Sequence, residues 1–230
     1  MAELHKALEA MPHETALQKR DRAIIAFVAL TGVRDAALIS LKMKDVDRAN
    51  GEIWQNPKHV KTKRRKAIAT TFMPFDPLWL EIVNDWLDYA ERELQLKPNE
   101  ALFPKTAVVS NPETLQFEVV GLTREHWANT TPVREIFKRA FHAVSLPYFN
   151  PHSLRKTIGL YAIEHCTPLE IKAVSQNIGH DNVLTTLTSY AYLNENKRRE
   201  TIQRIGTASN ELAHVPSELL TQEMQRRMKG

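Results

Sequence analysis

The chain has 230 residues, 43% hydrophobic and 25% charged, with a formal net charge of +4, enough for one sizeable domain of ordinary composition. Its single cysteine, Cys166, excludes an intramolecular disulfide and a cysteine-built metal cluster. No uncharged apolar run is long enough to span a membrane and the start, MAELHKALEA, lacks a secretory apolar core, so a cytoplasmic protein is expected.

Only 7 glycines and few β-branched runs favour helices. Residues 17–30, LQKRDRAIIAFVAL, are apolar at Leu17, Ile24, Ile25, Phe27, Val28 and Leu30 and predict a mostly buried helix, which Thr31-Gly32 stops. A second short helix is expected in RDAALISLKM, with Ala37, Leu38 and Leu41 on its apolar side. GEIWQ and KAIATTFMPF read as two strands flanking a charged tip. DPLWLEIVNDWLDYAEREL is amphipathic, with Leu78, Ile82, Trp86 and Tyr89 at helical spacing.

Residues 97–128 read as a long irregular connection with a small hairpin in LQFEVVGL. TPVREIFKRAFHAV predicts a helix with Thr131 as N-cap and Pro132 at the first helical position. NPHSLRKTIGLYAIEH predicts another, and TPLEIKAVSQNIGH opens with a Thr167/Glu170 capping box. A further helix is expected from about Asn182 to Tyr192, and a charged, helical tail from Ala208. The fold class is therefore mainly α with a small antiparallel β-sheet (α+β).

Charge is concentrated in one place. The run KHVKTKRRKA, residues 58–67, holds six Lys/Arg and no acid, the composition of a phosphate-meeting patch or of a solvated loop. Four further stretches place polar groups at helix edges: Arg34 after a Thr-Gly break, His152 and Arg155 three apart in PHSLR, Gly179-His180, and two tyrosines, Tyr190 and Tyr192. Each alone has a plain structural reading, as a surface ion pair, a helix start, a helix-end histidine or a core aromatic.

In this order, LTGVRDAALISLKMKDVD, HVKTKRRKAI, NPHSLRKT and IGHDNVLTTLTSY resemble the boxes of the tyrosine recombinase (phage integrase) catalytic domain, over about residues 15–204. The resemblance implies a site-specific recombinase that breaks and rejoins double-stranded DNA through a 3′-phosphotyrosine link, with no metal and no cofactor. Arg34 and Arg155 would hold the phosphate oxygens, since a guanidinium fork binds them bidentately and keeps its charge. Lys61 would protonate the leaving 5′ oxygen; Lys58 and Lys63 are neighbours, and Lys61 is preferred because the Lys-Thr step before a strand matches the family pattern. His152 would donate a hydrogen bond or act as base, and His180 would donate to the phosphate. Lys63, Arg64 and Arg65 would contact DNA backbone.

The resemblance also implies a catalytic domain over residues 1–206 and a tail, 207–230, docking on a neighbouring protomer within a tetrameric synapse. It further implies that the family's N-terminal core-binding domain is absent from this chain. Type IB topoisomerase-like relaxation, or a DNA-binding module that has lost cleavage, are the other activities this pattern allows.

The family pattern puts the nucleophile nine residues after the Gly-His histidine, which falls here on Ser189, one residue before Tyr190. On a helix Tyr190 and Tyr192 point about 160° apart, so they cannot serve one pocket. Tyr190 shares a side with Val183 and Leu187, and Tyr192 with Thr185, Thr188 and Ser189. The nucleophile must point inward, which selects Tyr190.

Overall fold

The apolar run 23–30 lies at the centre of the computed structural model, which describes residues 1–179 and Arg199. His180, Tyr190, Tyr192, the helix expected over 182–192 and the boundary expected between 206 and 207 lie outside the described residues.

The first helix, α1 (Ala2–Ala10), was not expected from the sequence. Leu4, Ala7 and Leu8 recur at helical spacing and are buried, and Arg22 Nε caps its end by donating to the Leu8 carbonyl at 2.9 Å. Helix α2 (Ala16–Thr31) starts on a Thr15/Gln18 capping box and carries the central apolar run. It ends at Gly32, whose φ of 59° is the left-handed conformation expected of a helix-terminating glycine. Helix α3 (Asp35–Leu38) is one turn, shorter than expected. Its continuation is pulled away because Met43 and Lys44 N–H groups donate to the carbonyls of Glu100 and Pro98, and Ser40 Oγ donates to the carbonyls of Ala36 and Ala37. Ala37, Leu38 and Leu41 are buried all the same.

Strands β1 (Val46–Asp47), β2 (Glu52–Gln55) and β3 (Ile68–Thr71) form an antiparallel sheet in that order. The two-residue β1 leaves no period-2 pattern in the sequence to read. Ile53 pairs with Thr70 and Gln55 with Ile68, and all four are buried, so they form the inward face. Helix α4 (Pro77–Arg92) is N-capped by Asp76 and buries Trp79, Ile82, Val83, Trp86, Leu87 and Ala90; it is the main packing partner of α2.

Strands β4 (Thr106–Ser110) and β5 (Phe117–Leu122) make a two-stranded hairpin. The sequence placed it too late: its turn is 111–116, where Asn111 Oδ1 accepts from the N–H groups of Glu113 and Thr114, an Asx turn that allows Pro112 between the strands. Helix α5 (Thr131–Ala143) has Thr130 as its N-cap, one residue before the expected Thr131. The shift follows from Asn129, whose side-chain oxygen takes the Thr131 N–H at 3.0 Å. Helix α6 (Pro151–His165) is capped by Asn150, and α7 (Pro168–Asn177) by the Thr167/Glu170 box. Among the described residues, no helix is long and apolar enough to cross a membrane.

Candidate active site

Two helices end in glycine turns, and a third helix ties those turns together. Thr31 Oγ1 donates to the Phe27 carbonyl at 2.6 Å and accepts from Val33 N–H at 3.2 Å, shaping the turn after α2. That turn presents Arg34 as the half-exposed residue immediately before α3. The turn after α7 passes through Ile178 and Gly179, the latter at φ 71°. Arg155, on α6 and only 3% exposed, lies between them. Its Nη2 donates to the Ile178 carbonyl at 2.8 Å and its Nη1 to the Gly32 carbonyl.

The turns touch so closely that neither position has room for a side chain. A Cβ on Gly32 would lie 2.8 Å from Ile178 Cγ2, and one on Gly179 would lie 2.9 Å from Ile68 Cδ1 of β3. Arg34 and Arg155 line one narrow cleft together with Thr31, Gly32, Gln55, Thr70, Asn177 and others. Two cations on one small concavity suit an anion with several oxygens.

His152, exposed on the first turn of α6, stands in the field of the same cations. Loss of water contact, then the charges of Arg155, Lys156 and Arg34, hold its imidazole below the ordinary histidine range, with Asp35 opposing. It is therefore neutral near pH 7 and able to accept a proton. Asp35 is engaged elsewhere: its carboxylate accepts from Ala36 N–H at 2.9 Å and from Arg134 at 3.1 Å.

Lys61 does not line the cleft, but its backbone is tied to the turn that follows Arg34. The Lys61 N–H donates to Ser40 Oγ at 2.9 Å, at the end of the turn that Arg34 begins. Val60 is buried, and His59 Nε2 meets both oxygens of buried Asp45 at 2.8 and 2.9 Å. Beyond these anchors the loop is a solvated tip: Lys63, Arg64 and Arg65 form an exposed 3-10 turn, with Arg64 and Arg65 at φ 57° and 53°. Lys58 and Lys63 are also exposed, without the Ser40 tether.

The structure thus brings Arg34 and Arg155 to one cleft, with His152 in their field, and ties the Lys61 backbone to Ser40 in the turn that follows Arg34; His180 and Tyr190 lie outside the described residues. Sequence reasoning missed Ser40, Gln55, Thr70 and Asn177. The readable signal was small: Asn177 is a polar residue on the last turn before Ile-Gly-His, where an apolar one would pack. Among the described residues, no group of three or more His, Cys, Asp or Glu is placed to hold a metal.

Residues 2–197 match the phage integrase family. The chain belongs to that family. Relatives include the tyrosine recombinase XerC of Halalkalibacterium halodurans, 24% identical over 86% of this chain and 58% of the relative. That of Vibrio atlanticus is 30% identical over 74% of this chain and 46% of the relative. The chain spans about half the length of the curated relatives it matches.

Two solved structures share the fold. XerA recombinase has a TM-score of 0.60 at 22% identity, covering 88% of this chain and 61% of its own. XerH site-specific recombinase, bound to its difH substrate in a pre-cleavage complex, has a TM-score of 0.59 at 18% identity, covering 92% of this chain and 51% of its own. The family's catalytic-domain fold is thus the fold of this chain.

Proposed function

We propose that this chain is the catalytic part of a site-specific recombinase that cleaves and rejoins double-stranded DNA through a 3′-phosphotyrosine intermediate. The observation that carries the reading is the convergence of Arg34 and Arg155 on one cleft, with His152 in their field and the Lys61 loop tied to the turn that follows Arg34.

In the proposed step the Tyr190 phenol oxygen attacks phosphorus and its proton passes to neutral His152. The bond from phosphorus to the 5′ oxygen breaks as Lys61 protonates that oxygen. The guanidiniums of Arg34 and Arg155, with His180, neutralise the charge gathering on the non-bridging oxygens, the largest contribution available to phosphoryl transfer. The phosphotyrosine preserves the ester for attack by a 5′ hydroxyl of another strand. No metal or cofactor takes part in this scheme.

Residues 1–206 would do this chemistry, and residues 207–230 would dock on a neighbouring protomer in a synaptic tetramer. Lys63, Arg64 and Arg65 would hold DNA backbone. The protein would work in the cytoplasm, associated with the nucleoid.

The test uses duplexes selected for binding by this chain from a random-sequence pool, then nicked at successive positions so that a cleaved fragment diffuses away. A protein–DNA adduct on a denaturing gel, lost in Tyr190→Phe and retained in Tyr192→Phe, is the expected result. Binding without adduct at any nick would make the chain a DNA-binding module. Relaxation of plasmids lacking the selected sequence would make it a topoisomerase of the IB type. An adduct lost only in Tyr192→Phe would move the nucleophile to Tyr192.

A further inference from the structure

At the end of α7 the Asn177 side chain behaves as a strand residue. Its Oδ1 accepts from the Thr71 N–H at 2.7 Å and its Nδ2 donates to the Thr71 carbonyl at 2.8 Å. One primary amide thus satisfies both backbone groups of a single residue on β3, the edge strand of the three-stranded sheet. A paired strand would do the same. The bonding continues through the backbone of Asn177, whose carbonyl accepts from Thr70 Oγ1 at 2.9 Å, while Thr70 Oγ1 accepts from Gln55 Nε2 of β2 at 3.0 Å.

Strand β3 therefore meets two parts of the candidate site. Its N-terminal end receives the chain from the loop 56–67 that carries Lys61, and its face and edge hold the exit of α7. Ile68 packs so close to Gly179 that a Cβ there would lie 2.9 Å away, and Asn177 locks the preceding residues to Thr70 and Thr71. The next residue along the chain is His180. A rotation of α7 about its axis, or a slide along the sheet, would break the Asn177 pair.

We propose that Asn177 is a positioning residue for the cleavage reaction, clamping the end of α7 and Gly179, the residue that precedes His180 in the chain, to the strand that leaves the Lys61 loop. This inference rests on the recombinase reading above. The chemistry of the clamp is specific to a short amide. Aspartate keeps the acceptor but has no donor for the Thr71 carbonyl and puts a charge there; leucine, of similar size, makes neither bond. Asn177 is half-buried and Thr71 exposed, so water replaces the lost partners and global stability is little affected. The position of the turn is not protected in that way, and a displacement of about 1 Å at a reacting group can lower a rate about 100-fold.

The experiment compares the whole chain with Asn177→Leu and Asn177→Asp on the nicked, pool-selected duplex. Four quantities are read: the single-turnover rate of adduct formation at saturating protein, the Kd for the same DNA by fluorescence anisotropy, the thermal midpoint, and the exchange rate of the Thr71 amide hydrogen. We expect both variants to form adduct about 10–100-fold more slowly, with Kd within about twofold and little change in midpoint. Exchange of the Thr71 amide hydrogen should speed up in Asn177→Leu. An active wild type whose variants keep their rate within twofold overturns the inference and leaves the recombinase reading standing. So does a rate loss matched by an equal loss of DNA affinity or by unfolding. A wild-type chain that binds the duplex and forms no adduct overturns the recombinase reading and this inference with it.

Discussion

Arg155 donates to the Ile178 carbonyl at 2.8 Å and, through its other terminal nitrogen, to the Gly32 carbonyl. One buried cation thus holds the turns that end α2 and α7, and its role in the fold is inseparable from its place in the cleft. Arg155→Ala should lower stability by about 1–3 kcal/mol for each carbonyl left without a donor, read from urea unfolding. Arg155→Lys keeps the charge and loses the fork that spans both carbonyls, so it should fall between Ala and wild type in stability while still losing adduct formation. Arg34→Ala should abolish adduct with a stability change below about 1 kcal/mol, since Arg34 is half-exposed.

Gly32 has a left-handed backbone and no space for a methyl group. Gly32→Ala should destabilise the chain by about 1–3 kcal/mol from backbone strain, before any cost of displacing Ile178. The thermal midpoint measures it. Gly51, also left-handed at φ 62° but with Phe72 Cδ2 3.9 Å from where a Cβ would lie, is the control: alanine there should cost only the strain.

The basic loop separates affinity from chemistry. Replacing Lys63, Arg64 and Arg65 together by Ala should weaken binding to any duplex. The slope of log K against log salt should become shallower by about 0.9 for each phosphate that is no longer neutralised. Lys61→Ala should leave that slope nearly intact and stop cleavage of an ordinary phosphodiester. Cleavage should return with a 5′-bridging sulfur, because a thiolate departs without a proton.

His152 and His126 both have their imidazoles held below the ordinary range, in each case first by partial loss of water contact; backbone bonding to Ile39 opposes this at His126. The unfolded chain therefore binds more protons than the folded one just below about pH 6.5, so stability rises with pH through that window and falls on acidification. Urea midpoints should drop between pH 7 and 5.5, and His126→Gln should flatten the drop. In an NMR titration, the His152 ring signals should move at lower pH than those of a free histidine, and saturating duplex should raise that midpoint by bringing negative charge to the cleft.

Much of the frame was legible because its signals are local. The Thr167/Glu170 box, the Gly32 stop and the period of α4 each lie within a few residues of what they specify. Arg34, His152 and Arg155 were legible as residue types in order, and the meeting of the two arginines on one cleft, with His152 in their field, is the outcome of packing. What escaped the sequence depends on partners far along the chain. Strand β1 exists because Val46 pairs with Ile53. The early end of α3 follows from bonds to residues 98 and 100. The Asn177 amide finds its meaning only opposite Thr71, 106 residues away. The Asx turn at Asn111 is local and readable in principle, but Pro112 beside it reads first as a strand breaker.

The Ser40 tether divides the basic loop into a root and a blade. The root, His59 to Lys61, is seated by a buried carboxylate, a buried valine and the Ser40 hydroxyl; the blade, Lys63 to Arg65, is exposed. Length and charge in the blade can therefore be altered, as one changes the grip of a tool, without disturbing the contacts that seat the root. Grafts that begin after Thr62 and end before Ile68 would respect that joint, whereas a cut two residues earlier would carry Lys61, the proposed proton donor, away with the handle.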